Sequence, residues 1–185
     1  DRVRLASGVS SIVQNGAHVE VRDQTGHTDS FDDVVIATHA DQALAMLASP
    51  TEEERRLLGT FRYTRNRAVL HRDRTLMPKR REVWASWNYI GGMAGDAAPP
   101  LTVTYWMNAL QGLPDDSQLF VTLNPARDPG EIVRDEVYEH PMFDSVAMAA
   151  QRELWSLQGK RNLWFCGAYC GAGFHEYGLQ AGLGL

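Results

Sequence analysis

The stretch that most constrains this chain lies near its C-terminal end. Asn162-Leu163-Trp164-Phe165-Cys166-Gly167 is a short apolar run that breaks into Ala168-Tyr169-Cys170-Gly171-Ala172-Gly173 and then into a helical pattern from about Glu176. An apolar run of this length, bounded by glycine, predicts a buried strand. Glycines at 167, 171, 173, 178 and 182 let the backbone approach a ligand closely, and the free N–H groups at the start of the next helix suit an electron-rich oxygen. By its physics the segment is a cofactor cradle. Its G-x3-G-x-G spacing departs from the G-x-G-x-x-G fingerprint, so on spacing alone a plain structural turn stays equally open.

A second continuous run, Val34-Val35-Ile36-Ala37-Thr38, predicts a strand buried on both faces of a parallel or mixed sheet. Ahead of it, Val3-Arg4-Leu5 leads into Val9–Val13, and Asn15-Gly16 joins that run to His18–Arg22, the pattern of a hairpin. His27 to Phe31 predicts a third short strand. Residues 41–47 have helical spacing ended by Ser49-Pro50, and Thr51-Glu52-Glu53-Glu54 opens a second helix, to about Leu58, with a capping box. From there the pattern turns strand-like: Tyr63–His71, an aromatic strand Val83–Tyr89, Leu101–Asn108 and Gln118–Leu123, with loops at 91–100 and 112–116. A helix is expected over Ser145–Leu157.

Composition narrows the class. The 185 residues allow one domain or two small interleaved ones at roughly 150 residues per domain. With 18 Lys+Arg against 23 Asp+Glu, a net charge of −5 and 44% hydrophobic residues, the chain is ordinary globular protein. The acidic balance argues against nucleic acid as a partner, because duplex binding needs several phosphates neutralised. No run reaches the ~18 apolar residues of a membrane span, and residues 1–11 lack the features of a signal peptide. Cys166 and Cys170, in a C-x3-C spacing, form no disulfide framework or zinc motif, so a reducing, cytoplasmic setting is expected. The histidines show no ligand spacing, so no metal is expected, and the absence of G-x-S-x-G disfavours a hydrolase.

Four groups of residues admit more than one reading. His175-Glu176 is either a proton-handling pair beside a cofactor or the cap of the last helix. Trp84, Trp87, Asn88, Tyr89, Tyr105, Trp106 and Asn108 alternate on two expected strands, where they line an apolar substrate pocket or fill a core. Cys166 and Cys170 read as a redox pair or a cofactor attachment site, or, for Cys166 at a strand end, as a small hydrophobe. Lys79-Arg80-Arg81 is a solvated face or a steering patch for an acidic substrate.

Taken together, VSSIVQNGAHVEV, FDDVVIATHADQALAML, VLHRDRTLMPKRREVWASWNY, VTYWMNALQGL with VTLNP, and YEHP with NLWFCGAYCGAGFHEYGL resemble bacterial predicted NAD/FAD-binding proteins of the flavin-containing amine oxidase superfamily. The resemblance covers nearly the whole chain. It implies an α+β or α/β fold: the C-terminal part of a glutathione-reductase-type FAD-binding domain (residues 1–40 and 160–185) and a substrate domain with a mixed β-sheet and helices (41–159). The N-terminal G-x-G-x-x-G unit that holds the FAD pyrophosphate is missing, so the chain is expected to be a portion of a longer protein and to bind FAD poorly alone. In that family pattern Val9 meets the adenine and Thr38 closes over the nucleotide side. Gly167, Ala168 and Tyr169 meet the ribityl chain, and Gly178, Leu179 and Gln180 present helix N-terminal amides to the flavin pyrimidine edge. His175-Glu176-Tyr177-Gly178 stands where relatives usually read H-E-D-G, and many flavin oxidases have an acid in place of Tyr169.

The expected activity is FAD-dependent oxidation, with hydride transfer from an amine or an apolar acyl substrate. His175 and Glu176 are the candidate catalytic residues, and Trp87, Asn88, Tyr89, Tyr105 and Trp106 the candidate substrate surface. The alternative is a non-catalytic interaction or dimerisation module, given the missing nucleotide-binding start.

Overall fold

A computed structural model describes residues 3–90 and 102–185; the loop expected at 91–100 lies outside the described residues. Among the described residues ten strands run in chain order: β1 (Val9–Asn15), β2 (His18–Asp23), β3 (Thr28–Phe31), β4 (Val34–Ile36), β5 (Arg62–His71), β6 (Trp87–Ile90), β7 (Thr102–Trp106), β8 (Phe120–Leu123), β9 (Ile132–Met142) and β10 (Leu163–Phe165). The helices are α1 (Ala40–Met46), α2 (Glu52–Leu58), α3 (Met107–Gln111), α4 (Ser145–Glu153) and α5 (His175–Leu183). The chain divides into two compact units, Asp1–Tyr63 with Pro141–Leu185, and Thr64–His140. α1, α2 and α4, which the family resemblance assigns to the substrate domain at 41–159, fall in the first unit.

In the first unit the hairpin forms as its turn dictates. Asn15 pairs with His18 and Gly16 takes a φ of 66°, the left-handed conformation that glycine adopts at no steric cost. β3 adds to β2, while residues 3–8 stay outside the strand. β4 and β10 pair in parallel, with Phe165 opposite Ile36. The expectation of burial on both faces is corrected here. Ile36 is 3% exposed, but Val35 is 54% exposed, because side chains alternate along a strand and only the Val34 and Ile36 side packs on this unit's core.

That core brings Ile12, Val19 and Ile36 together with Ala40 and Ala43 of α1, Leu57 and Leu58 of α2, Ala147 and Ala150 of α4, and Leu163 and Phe165 of β10. α2 starts on the predicted capping box: Thr51 Oγ1 accepts from the Glu54 N–H at 3.1 Å, and Glu54 Oε2 accepts from the Thr51 N–H at 2.6 Å. α4 starts on Asp144, whose Oδ1 accepts from the N–H groups of Val146 and Ala147. The helix expected to reach Leu157 does so by tightening into a 3₁₀ turn over Leu154–Leu157.

The second unit is built on an antiparallel sheet ordered β6-β7-β8-β5-β9. Its buried face carries Asn88, Thr104, Phe120, Thr122, Val69 and His71; its opposite face carries the row Trp87, Tyr105, Val121 and Leu70. Two expected strands are shorter than predicted. Residues 81–83 form a 3₁₀ turn because Trp84 folds over the buried face: its Nε1 donates to the Pro78 carbonyl, and its ring stands edge-on to Trp106 and Phe120. β7 stops at Trp106 and α3 follows, because Asn108 turns its amide into the next loop. Its Nδ2 donates to the Pro114 and Ser117 carbonyls and its Oδ1 accepts from the Leu119 N–H. β9 had no sequence prediction. Arg134, Asp135, Glu136 and Glu139 interrupt any apolar alternation, as suits an edge strand exposed along most of its length.

Candidate functional site

The parallel pair β4/β10 sets the site. Ligands of open α/β sheets sit beyond the carboxyl ends of neighbouring parallel strands, where the chains diverge into loops. Two residues past the paired ends, Thr38 and Gly167 come together: a Cβ built on Gly167 would lie 3.0 Å from the Thr38 carbonyl oxygen and 2.8 Å from Tyr169 Cε1. Gly178, inside α5, faces the same backbone, its Cβ position 3.6 Å from the Ala168 nitrogen. Any side chain at 167 and any large one at 178 would fill this contact. Thr38 also lines a cleft of about 430 Å³ with Val9, Ser10, Gln42, Ala45 and Met46. Of the sequence-predicted cofactor residues, Val9, Thr38, Gly167, Ala168 and Gly178 are thereby joined into one surface.

Other predicted residues stand elsewhere. Tyr169 is 2% exposed, with its ring centre 5.2 Å from that of Phe61 and its ring edge against Gly167, so the side chain is taken up by packing. Its carbonyl accepts from Gln151 Nε2, which also donates to the Gly171 carbonyl and so ties the turn to α4. The Tyr169 hydroxyl has no hydrogen-bond partner among the described residues, and burial pushes its pKa far up. Burial also raises the Cys166 thiol and pushes Cys170 up to about 11; both cysteines are free. α5 begins at Phe174 without a side-chain cap, so His175 is its first residue and not its cap. Glu176 accepts from Gln180 Nε2 at 2.8 Å, and Leu179 projects outward. The cap reading of His175 is therefore set aside, and among the described residues Glu176 bonds to Gln180 rather than to His175.

Sequence reasoning missed Ser10, Gln42, Ala45 and Met46 as cleft residues. The i, i+3, i+4 spacing of the last three on α1 was visible, but nothing in the sequence said that the bulge at Val9–Ser11 would face it. It also missed the His39–Tyr63 stack, at 4.3 Å between ring centres and 12° between planes, in which His39 Nδ1 is buried without a partner among the described residues.

The predicted substrate residues divide between the faces of their sheet. Trp87 and Tyr105 are register partners with rings 5.6 Å apart and edge to face. Tyr89 shares their face, and Trp87 and Tyr89 are 48% and 62% exposed. Farther along the same face, Ala68, Leu70 and Val121 floor a cavity of about 180 Å³ walled by Arg134, Glu136 and Tyr138. Asn88 and Trp106 point to the other face. The Asn88 amide donates to the Ala85 and Thr104 carbonyls, and Trp106 Nε1 donates to Gln118 Oε1. Arg81 lies over the Trp84 and Trp106 rings at 5.2 and 5.4 Å from their centroids, so one member of the basic run packs on aromatics.

Among the described residues, no cluster of His, Cys, Asp or Glu is placed to hold a metal ion, and no helix is long and apolar enough to cross a membrane. No family model matches the chain, and no curated protein matches it by sequence. Solved structures of similar fold include a CLA-producing fatty acid isomerase from P. acnes, 12% identical, with a TM-score of 0.61 over 96% of this chain and 46% of that one. A reduced UDP-galactopyranose mutase is 11% identical, with a TM-score of 0.56 over 89% of this chain and 41% of that one. The chain spans less than half the length of either. Its mixed α+β fold, as expected from the sequence, is the fold it shares with these enzymes.

Proposed function

We propose that this chain is the flavin-edge and substrate-sheet portion of an FAD-dependent oxidoreductase, of flavin-containing amine oxidase type, that moves a hydride from an amine or an apolar acyl substrate. The observation that carries this reading is the double role of Thr38. It lines the cleft with Val9, and its carbonyl abuts Gly167 where parallel strands end. A surface of bare backbone beside a slot of about 430 Å³ fits an extended nucleotide cofactor with a flat ring at one end. The mutase of similar fold has a reduced state, which supports a redox-active group in this architecture.

When bound, FAD supplies the hydride acceptor. The chain's own residues bind and orient. Val9 and Thr38 hold the adenine side; the Gly167-Ala168 backbone runs along the ribityl side, opposite Gly178. The uncapped first-turn N–H groups of α5 favour negative charge nearby, ahead of Leu179 and Gln180. His175 and Glu176, both exposed, are the groups available to take or give a proton. Trp87, Tyr89 and Tyr105 offer an apolar aromatic surface, with Asn88 and Trp106 bracing the strands behind it. The free thiols of Cys166 and Cys170 suit a reducing cytoplasm.

The complete polypeptide, purified, should show visible flavin absorbance, and anaerobic addition of an oxidisable amine or acyl lipid should bleach it. A colourless protein that ignores added FAD overturns the reading in favour of a non-catalytic module. Bleaching by one substrate class alone decides between amine and acyl chain.

A further inference from the structure

His71, on β5, has no exposed surface, and both ring nitrogens are engaged. The Asp73 backbone N–H donates to Nδ1 at 3.1 Å, so Nδ1 is an acceptor and the neutral ring carries its proton on Nε2. Nε2–H donates to Thr122 Oγ1 on β8 at 2.8 Å, and that hydroxyl meets Thr104 Oγ1 on β7 at 2.9 Å. The line reaches β6, where Asn88 Nδ2 donates to the Thr104 carbonyl. Four strands of the sheet are thus joined by one polar chain that fixes one imidazole tautomer.

The other end of the line is a loop clamp. Asp73 Oδ1 accepts from the Thr75 N–H at 2.8 Å and from the Thr75 hydroxyl at 2.6 Å. Asp73 Oδ2 accepts from the Gly130 N–H at 3.0 Å and from Arg127 Nη1 at 3.1 Å. The 127–131 turn is therefore clamped by Asp73, beside a bond from the Arg72 N–H to the Glu131 carbonyl at 3.2 Å and the exposed Arg67–Asp128 pair, and Asp73 is held to the sheet by His71. Between these segments lies an open cleft of about 670 Å³ bordered by Arg74, Asp116, Ser117 and Glu131.

We propose that His71 is an acid-sensitive latch: a proton taken from solvent at Nδ1 removes the acceptor for the Asp73 N–H, loosens the Asp73 segment and with it the clamp on the 127–131 turn, and widens the cleft that they line opposite residues 116–118. The protonated ring is a donor at both nitrogens, so Nδ1–H and the Asp73 N–H would point at each other in a buried site. The charged groups facing the ring are the Asp73 carboxylate, which favours protonation, and the Arg127 guanidinium, which opposes it. β8 contributes Thr122 and the Phe120 ring, and β7 contributes Thr104, none of them charged. Burial holds the imidazole below its usual 6.5, so the latch opens below that pH. Desolvation pushes the Asp73 carboxyl up, but donors from Gly130, Thr75 and Arg127 outweigh it and hold it well below the usual carboxylate range. Asp73 therefore stays ionised while His71 titrates.

Nitrogen-15 NMR of the imidazole, with amide hydrogen exchange followed from about pH 7 down to about pH 5, tests this. The expected results are the Nε2–H tautomer at neutral pH and, with each rate divided by the intrinsic amide rate at that pH, exchange at the Asp73, Thr75 and Gly130 amides that rises about tenfold with the His71 titration, while the β5–β8 ladder amides rise less. In His71→Gln, whose amide can accept from Asp73 and donate to Thr122 without titrating, the acid step should vanish. An Nδ1–H tautomer, or exchange at Asp73 and Gly130 that ignores the wild-type His71 titration, overturns the latch whether or not the variant folds.

Discussion

The carbonyl oxygen of Thr38 stands 3.0 Å from the point a Cβ on Gly167 would occupy, while the nearest atom to a Cβ on Gly178 is the Ala168 nitrogen at 3.6 Å. The first distance is closer than a methyl group accepts without movement, and the second is ordinary contact. The two glycines of the cradle therefore differ in what they tolerate.

Gly167→Ala should destabilise the first unit by about 1–3 kcal/mol, as overpacking does, because the buried Tyr169 ring on the other side has little room to retreat. Gly178→Ala should be neutral or stabilising by up to ~1 kcal/mol, since it adds a helix former inside α5. Gly178→Leu should fold and weaken FAD binding. Urea unfolding and flavin titration read these out, and unchanged flavin affinity in Gly178→Leu would count against the placement of the cofactor.

Glu54 is 3% exposed, and its carboxylate accepts from the Thr51 N–H and from Arg161 Nη1 at 3.0 Å. Thr51→Ala removes one half of the capping box and should cost ~1 kcal/mol. Glu54→Ala removes the other half and also strands a partly buried guanidinium, so it should cost more, on the order of 2–4 kcal/mol. Equal losses from the two variants would mean that the Arg161 pair contributes nothing.

Asp144 caps α4 and also meets Arg62 Nη2 at 2.6 Å. The guanidinium is well exposed, so the cap should dominate. Asp144→Ala is expected to lose about 1–2 kcal/mol, whereas Asp144→Asn, which still caps, should lose under ~0.5 kcal/mol. The Ala147 N–H, followed by Arg62, holds the Asp144 carboxyl below 3.8, so its contribution is full above that pH and fades as pH falls further. The acid limb of wild type should flatten in Asp144→Asn.

Burial pushes the Tyr63 phenol up to about 12, against 10.0 for an ordinary tyrosine. Between those values the folded chain keeps a proton that the unfolded chain releases, so stability is intact below pH 10.0 and declines as pH rises toward about 12. Tyr63→Phe should make that decline shallower, leaving the share of the buried Cys170 and Tyr169, at the cost of the hydrogen bond its hydroxyl accepts from the Ala40 N–H. Cys170, pushed up to about 11 by burial, should react with alkylating agents at neutral pH far more slowly than a free thiol. Rapid labelling of the folded protein would contradict that burial.

The sequence by itself determined the elements whose signals are local. Asn15-Gly16 fixed the hairpin, Thr51 with Glu54 fixed the start of α2, and the glycines after Phe165 marked the turn that α5 follows. Each of these depends on backbone geometry or hydrogen bonds within a few residues. Tertiary structure decided which way side chains face and which segments meet. Val35 belongs to an apolar run yet is exposed, because its strand packs one side on the core. Tyr169, expected to touch a ligand, turns its ring onto Phe61, and β9 forms without apolar alternation because pairing with β5, not burial, holds an edge strand. Thr38 and Gly167 are 129 positions apart in sequence. No local pattern links them, and only the parallel pairing of β4 with β10 brings them within contact.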